Sequence, residues 1–345
     1  MEIMHYIGLD IHKKTISFCI KLADGTLVRE GELAASRATL DGWMAGLPRP
    51  WTAAMEATLF TSWVYEHLKP HAHEVKVAHP AMVKAIAASK RKNDRVDADK
   101  ITDLLRANLL PECYMAPLPI RNLRRNLRYR NLLVGQMTQT KNKVSGMLME
   151  AGIEYNKEKL HQKKYFRELL RTAEHMPESL PPLLELSRTT LDSFGKREKH
   201  LMKALAKDPV LAERVGRLMT IPGVGPVTAI TWALETGEIS RFRSLKQAVS
   251  YCGLCGAEIS SAGKQMRTPI SKQRNKHLQT VLIEAAKLAP RHNPELAQLH
   301  AKEINKGNRN RATLAVARKL VAWLLAVDRR EEGFRRRIDA VIQAA

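Results

Sequence analysis

A chain of 345 residues is long enough for two domains, each with its own core. Hydrophobic content of 44% excludes wholesale disorder, and 5% aromatic residues speak against a base-stacking platform as the main binding device. Lysine and arginine number 57 against 35 aspartates and glutamates, a net charge of +22. That excess suits a polyanion, because each neutralised phosphate releases condensed counterions; a basic protein that is merely soluble is the plain alternative.

Residues 6–11 (YIGLDI) and 15–22 (TISFCIKL) read as strands, and Asp24-Gly25 turns the chain into a third at 26–33. A helix is expected at 40–47, a strand at 51–56, a helix at 61–69, a strand at 74–78 and helices from Pro80 onward. Three antiparallel strands followed by alternating helix and strand is the order of an RNase-H-like α/β domain, although order alone does not separate it from other α/β domains. The early strand, the absence of a long apolar run and the four scattered cysteines (Cys19, Cys113, Cys252, Cys255) together predict a cytoplasmic protein with free thiols and no membrane partner. Cys252 and Cys255 have C-x-x-C spacing but lack a second ligand pair.

From 121 onward the chain turns long, basic and helical. With Leu127 at position a, the a/d series runs Leu127, Arg130, Val134, Met137, Lys141, Val144, Leu148 and Ala151, and a second runs Leu184, Ser187, Leu191, Phe194, Glu198, Leu201 and Leu205. Polar 156–164 and proline-bearing 177–182 are the places for reversal. This predicts an antiparallel coiled-coil arm able to join subunits, with a plain bundle as the alternative. Next, Ile221-Pro222-Gly223-Val224-Gly225 has the form of a helix-hairpin-helix turn. Its glycines would let backbone N–H groups approach a phosphate, unless the hairpin only packs. The predicted division is 1–120, 121–208 and 209–345.

Asp10 ends one apolar strand and Glu56 another, while Asp94 and Asp97 stand three apart on one helix face. Four carboxylates from two strands and a helix suit a pair of hard cations such as Mg²⁺. Lys92 and Arg95 are expected to offset their repulsion, and Asp99, pointing away, is read as solvated. A sugar-kinase or actin-like reading would use Gly8-Leu9-Asp10 as well, but the glycine-rich phosphate loops it needs are missing. Further on, Ser260-Ser261-Ala262-Gly263 forms a small turn followed by Lys264, Arg267, Lys272, Arg274 and Lys276 without an intervening acid. A serine among cations can attack a phosphodiester, or merely contact a phosphate.

These segments resemble the IS110 family of DEDD transposases. Tyr6-Ile7-Gly8-Leu9-Asp10, Glu56-Ala57-Thr58, Lys92-Asn93-Asp94-Arg95-Val96-Asp97-Ala98, Ile221-Pro222-Gly223-Val224-Gly225, Ser260-Ser261-Ala262-Gly263-Lys264 and Ile270-Ser271-Lys272 are similar to the family's motifs, in the same order. The resemblance implies a RuvC-like N-terminal domain, a coiled-coil arm and a mostly helical C-terminal transposase domain. It implies a metal-binding tetrad of Asp10, Glu56, Asp94 and Asp97, and Ser261 as nucleophile. Ala262 replaces the usual first glycine, which leaves Ser260 open beside Ser261, and Arg274-Asn275 departs from the family's usual Gly-Asn or Gly-Asp.

The expected nucleic-acid contacts are Lys92, Arg95, Gly223, Gly225, Lys264, Arg267, Lys272 and Arg274. The expected partners are donor and target DNA, a noncoding guide RNA and further copies of the chain, as dimer or tetramer. Base pairing by a guide would account for a basic surface without a base-reading helix. A Holliday-junction-resolvase-like two-metal nuclease, a site-specific DNA invertase of the same family and a catalytically idle nucleic-acid scaffold are the rival readings.

Overall fold

The structure, a computed structural model, describes residues 3–86, 93–172, 176–261, 264–271 and 273–335; within 257–261 and 264–269 it is the backbone that is described. Internal contacts divide the chain into two compact units, Met1–Met115 and Ala116–Ala345.

The first unit is built on a five-stranded sheet: β1 (His5–Ile11), β2 (Thr15–Lys21), β3 (Leu27–Ala34), β4 (Trp51–Glu56) and β5 (Glu74–Ala78). Their spatial order is β3-β2-β1-β4-β5. The first three strands run antiparallel and β4 and β5 pair in parallel beside β1. This mixed sheet, crossed by helices, has the order expected of an RNase-H-like domain. The central strands are nearly continuous apolar runs because both faces are covered, while edge strand β3 carries Arg29, Glu30 and Glu32.

Strand alternation divides the sheet. Ile7, Leu9, Ile11, Ala53 and Met55 join a core with Leu40, Trp43 and Met44 of α1 (Arg37–Ala45) and with Val64 and Leu68 of α2 (Thr61–Leu68). Helix α1 begins at Arg37 rather than at 40, because the Ser36 hydroxyl caps it by accepting from Thr39 N–H. The opposite face is covered by α4 (Asp94–Arg106), whose Ile101 and Leu105 pack on Ala54; α3 (Pro80–Ile86) precedes it. Asp10, an even step from Gly8, faces α4.

The second unit begins with α5 (Leu118–Glu150) and α7 (Leu180–Lys207), which pack along one another, with α6 (Lys163–Thr172) between them in sequence. Helix α6 was not expected in the reversal. Its Phe166 and Leu169 close a core with Val144, Leu148 and Leu184. Two polar residues of the heptad series, one from each helix, meet across the seam: Arg130 Nε donates to Glu198 Oε1 at 2.6 Å.

Then follow α8 (Pro209–Met219), α9 (Pro226–Thr236), α10 (Leu245–Tyr251), the hairpin β6 (Gly256–Ser261) and β7 (Lys264–Ile270), α11 (Lys276–Leu288), a 3-10 turn at Ala289–Arg291, α12 (Pro294–Asn305) and α13 (Arg309–Arg330). Helix α9 is buried from Thr228 to Thr236 and forms the hub of this core. Trp232 Nε1 donates to Asp328 Oδ2 at 2.8 Å, and Arg214 Nη2 reaches the same oxygen at 2.6 Å, so the buried Asp328 carboxylate and the Trp232 indole N–H are paired. All four cysteines are free thiols. Among the described residues no helix is long and apolar enough to cross a membrane.

Candidate active site

The acidic centre depends first on a residue with no side chain. A Cβ built on Gly8 would lie 2.2 Å from the Ala98 carbonyl oxygen and 2.6 Å from Thr102 N. Only glycine therefore lets α4 lie this close to β1. Thr102 fastens the contact, its hydroxyl lying 3.1 Å from the Cys19 carbonyl and 2.9 Å from that of Ala98. Asn93 sets where α4 starts, its side chain accepting from Val96 N–H at 2.8 Å. Asp94 and Asp97 thus fall in the first turn, where the helix dipole favours negative charge.

Asp10 and Asp94 come together around a residue the sequence reading passed over. His12 Nε2 lies 3.1 Å from Asp10 Oδ2 and 3.4 Å from Asp94 Oδ1. One ligand atom from each of Asp10, His12 and Asp94 falls within 4.8 Å of the others. Asp97 and Glu56 stand outside that group of three. Asp97 is close enough to act on Asp10 electrostatically. Glu56 lies one step beyond the Leu9–Met55 pairing of β1 and β4, on the face that Ala54 presents to α4. Its carbonyl accepts from the Thr61 hydroxyl at 3.0 Å, and Thr58 N–H donates to that hydroxyl at 2.7 Å, which ties down the turn after β4.

Burial pushes the Asp10 carboxyl above the ordinary carboxylate range. His12 pulls it down, Asp94 and Asp97 push it up, and the net direction is upward. A carboxylate that protein neighbours leave unfavourable is one an added cation would relieve. Two carboxylates and an imidazole within reach of one point fit a divalent cation of intermediate hardness.

The compensating charges differ from the expected ones. Arg95 turns to β3, where its Nε donates to Glu30 Oε2 at 2.7 Å. Lys100, one turn along the helix, serves Asp97 at 3.0 Å. Lys92 lies outside the described residues. Asp99 is not simply solvated: it pairs with Lys21 at 2.6 Å and accepts from the Cys19 thiol at 3.4 Å. Burial is also the leading cause that raises that thiol, to about 11.

In the second unit the serine segment is a hairpin rather than a loop. Ser261 ends β6 opposite Lys264, and Ser260 pairs with Gln265. Ala262, Gly263 and Lys272 lie outside the described residues, and Lys264 and Arg267 are placed by their backbone on β7. Beyond the hairpin, Arg274 and Lys276 line a groove of about 880 Å³ with Gln279, Thr280 and Lys287.

Behind the hairpin sits a buried carboxylate that sequence reasoning also missed. Glu235 receives both nitrogens of the Arg128 fork at 2.9 Å, and Asn275 Nδ2 at 2.8 Å. Burial pushes its carboxyl up, but Arg128, Asn275 and Arg124 outweigh burial and hold it below the ordinary value. Asn275 also caps α11 by accepting from His277 and Leu278 N–H. Glu235 therefore fixes where the chain leaves the hairpin.

The two glycines after α8 differ. Gly223 adopts φ 86°, and a Cβ there would meet Ala289 Cβ at 2.5 Å, so its small size serves packing. Gly225 caps α9, and a Cβ on it would meet open space.

Residues 7–153 match the family model of DEDD transposases of the IS110 type, described as Transposase, and residues 215–301 match the family described as Transposase IS116/IS110/IS902 family. The chain belongs to the IS110 family of transposases. It is similar to the transposase for insertion sequence element IS1328 of Yersinia enterocolitica, 26% identical over 339 residues that cover 92% of this chain and 96% of the relative. It is also similar to the transposase for insertion sequence element IS1111A of Coxiella burnetii, 28% identical over 268 residues that cover 74% of this chain and 71% of that one. In this IS110-family chain the acidic residues all fall in the first matched segment and the serine hairpin in the second.

His12 had a legible signal: two residues past Asp10 on an extended strand end, it shares the aspartate's face. Glu235 had none, since a glutamate in the apolar run of α9 cannot be told from a helix-end acid without its partners.

Proposed function

We propose that this chain cuts and rejoins DNA through two cooperating centres. Asp10, Glu56, Asp94 and Asp97 hold a divalent cation, Mg²⁺ in the cell, and Ser261 supplies the nucleophile. A cation bound there supplies charge stabilisation for the attacking and leaving oxygens of a phosphodiester. The observation that carries the reading is the meeting of Asp10 and Asp94, far apart in sequence, at one point in the first unit.

In the proposed reaction Ser261 Oγ bonds to phosphorus and the bond from phosphorus to one strand end breaks. The proton leaving the serine is taken up by the freed strand-end oxygen. A strand-end hydroxyl then attacks the phosphoserine, forms a new phosphodiester and returns the proton to the serine. The ester conserves the bond energy, so no nucleotide hydrolysis is called for. Lys264, Arg267, Lys272 and Arg274 balance the charge that builds on phosphorus, Lys92 contacts backbone phosphate beside the acidic centre, and Gly225, open where a Cβ would stand, admits a phosphate to the turn before α9.

The same reading takes a noncoding RNA as the guide that selects donor and target DNA, which the charge of +22 supports. The chain works as a dimer or tetramer in which α5 and α7, as a coiled-coil arm, join subunits. Exposed apolar Tyr129, Leu132, Leu183 and Leu186 support that assembly.

Covalent trapping tests the chemistry. Wild-type protein incubated with element-end DNA should yield a denaturant-resistant adduct, and Ser261→Ala should yield none while Ser260→Ala retains it. An adduct surviving in Ser261→Ala removes the serine from its role. Cleaved ends without attached protein would support the two-metal nuclease instead.

A further inference from the structure

Around the acidic centre most basic groups are already engaged. Lys21 serves Asp99 and Asp103, Arg95 serves Glu30, and Lys100 serves Asp97. Among the described residues, His12 is the basic side chain at hydrogen-bond distance from Asp10 and Asp94. One nitrogen, Nε2, approaches both carboxylates, so a single atom of the ring is presented to both acids.

The backbone explains why the ring stays there. Asp10 and His12 are an even step apart where β1 ends, and Asp94 is set by the Asn93 cap of a helix that Gly8 allows to lie against the strand. The ring and Asp94 are half exposed, so an ion can reach them from solvent. A hydrogen-bonded imidazole would be served by one carboxylate oxygen. A nitrogen with two carboxylate oxygens, all within 4.8 Å, has the composition of a mixed nitrogen–oxygen ligand set.

We propose that His12 is itself a metal ligand, its Nε2 joining Asp10 and Asp94 in holding the divalent cation. The inference rests on reading the acidic centre as a cation site. It adds that the centre is not an all-oxygen site. Imidazole favours first-row transition ions over alkaline-earth ions, so Mn²⁺ binds more tightly than Ca²⁺.

The test uses full-length protein and Mn²⁺, read by electron spin-echo envelope modulation with ¹⁴N- and ¹⁵N-histidine-labelled protein. Wild type should show a directly bound imidazole nitrogen that changes with the isotope. His12→Asn and His12→Ala should lose that coupling while binding Mn²⁺ roughly 10–100-fold more weakly, the loss typical of disturbed metal surroundings. Asp10→Asn should lose the bound ion.

Mn²⁺ that depends on Asp10 but shows no histidine coupling, or the same coupling in both His12 variants, overturns the role of His12 and leaves the cation site standing. Binding that is absent, or indifferent to Asp10→Asn, overturns both. Circular dichroism of each variant, matching wild type, separates ligand loss from misfolding.

Discussion

Asp10 and Glu235 are carboxylates gathered into polar clusters by residues distant in sequence, and they have opposite fates. Glu235 is fully buried, yet a forked guanidinium and an amide saturate it, and its carboxyl lies below the ordinary value. Asp10 is less buried, yet burial and two neighbouring acids leave it above the ordinary value despite His12. The closed cluster holds the second unit together. The open one leaves a carboxyl held above its ordinary value, which a cation bound as proposed would relieve. Burial alone does not tell structure from function here; completeness of compensation does.

The largest effects should come from opening or dismantling the Asp10 cluster. Asp10→Asn should lower DNA strand transfer by roughly 10²–10³-fold, the scale of losing one preorganised electrostatic group, with little change in urea stability. Gly8→Ala should do comparable damage indirectly, because the new methyl must push α4 off β1. Overpacking of this kind costs about 1–3 kcal/mol, so both strand transfer and the urea midpoint should fall. A Gly8→Ala protein with normal activity would break the link between the glycine and the site.

In the closed cluster, Arg128→Ala leaves Glu235 buried with its main partner gone. Such losses run to about 3–5 kcal/mol, and the lower figure applies because the guanidinium is half in solvent. Chemical denaturation of this variant, monitored in the second unit, sharpens the contrast with Asp10→Asn.

Acid sensitivity follows with its sign. The folded carboxyl of Glu235 lies below its unfolded value of 4.5, so its contribution is complete above that pH and is lost as pH falls through the folded value. Glu235→Gln should therefore flatten the acid limb of the stability profile, and an unchanged limb would count against the pairing. The smallest effect belongs to Arg95→Ala, which frees Glu30 at a largely exposed pair and should cost about 0–1 kcal/mol.

Much of the first unit was legible from residues. Apolar strands, one ending near Asp10 and one at Glu56, pointed to the sheet, and the three-residue spacing of Asp94 and Asp97 put both on one face of α4, whereas the Asn93 cap that sets its start was not read. The reading failed where meaning depends on a distant partner. His12 is a polar residue after a strand until α4 brings Asp94 to it, and Arg95 looked like a compensating charge until β3 offered Glu30. The hairpin strands were hidden because GAEISS and KQMRTPI lack clear alternation and contain a glycine and a proline. Helix α6 was hidden in a segment whose polar residues outnumber its apolar ones, its apolar stripe making sense only against α5 and α7.

The contrast between open and closed carboxylate clusters is tested most directly by thermal unfolding with and without divalent cation. Wild type should gain stability with Mn²⁺ or Mg²⁺, by about 2.7 kcal/mol at a hundred times the dissociation constant. Asp10→Asn should abolish that gain, and Glu235→Gln should keep it in full from a lower starting stability. Equal responses in all three proteins would contradict the account.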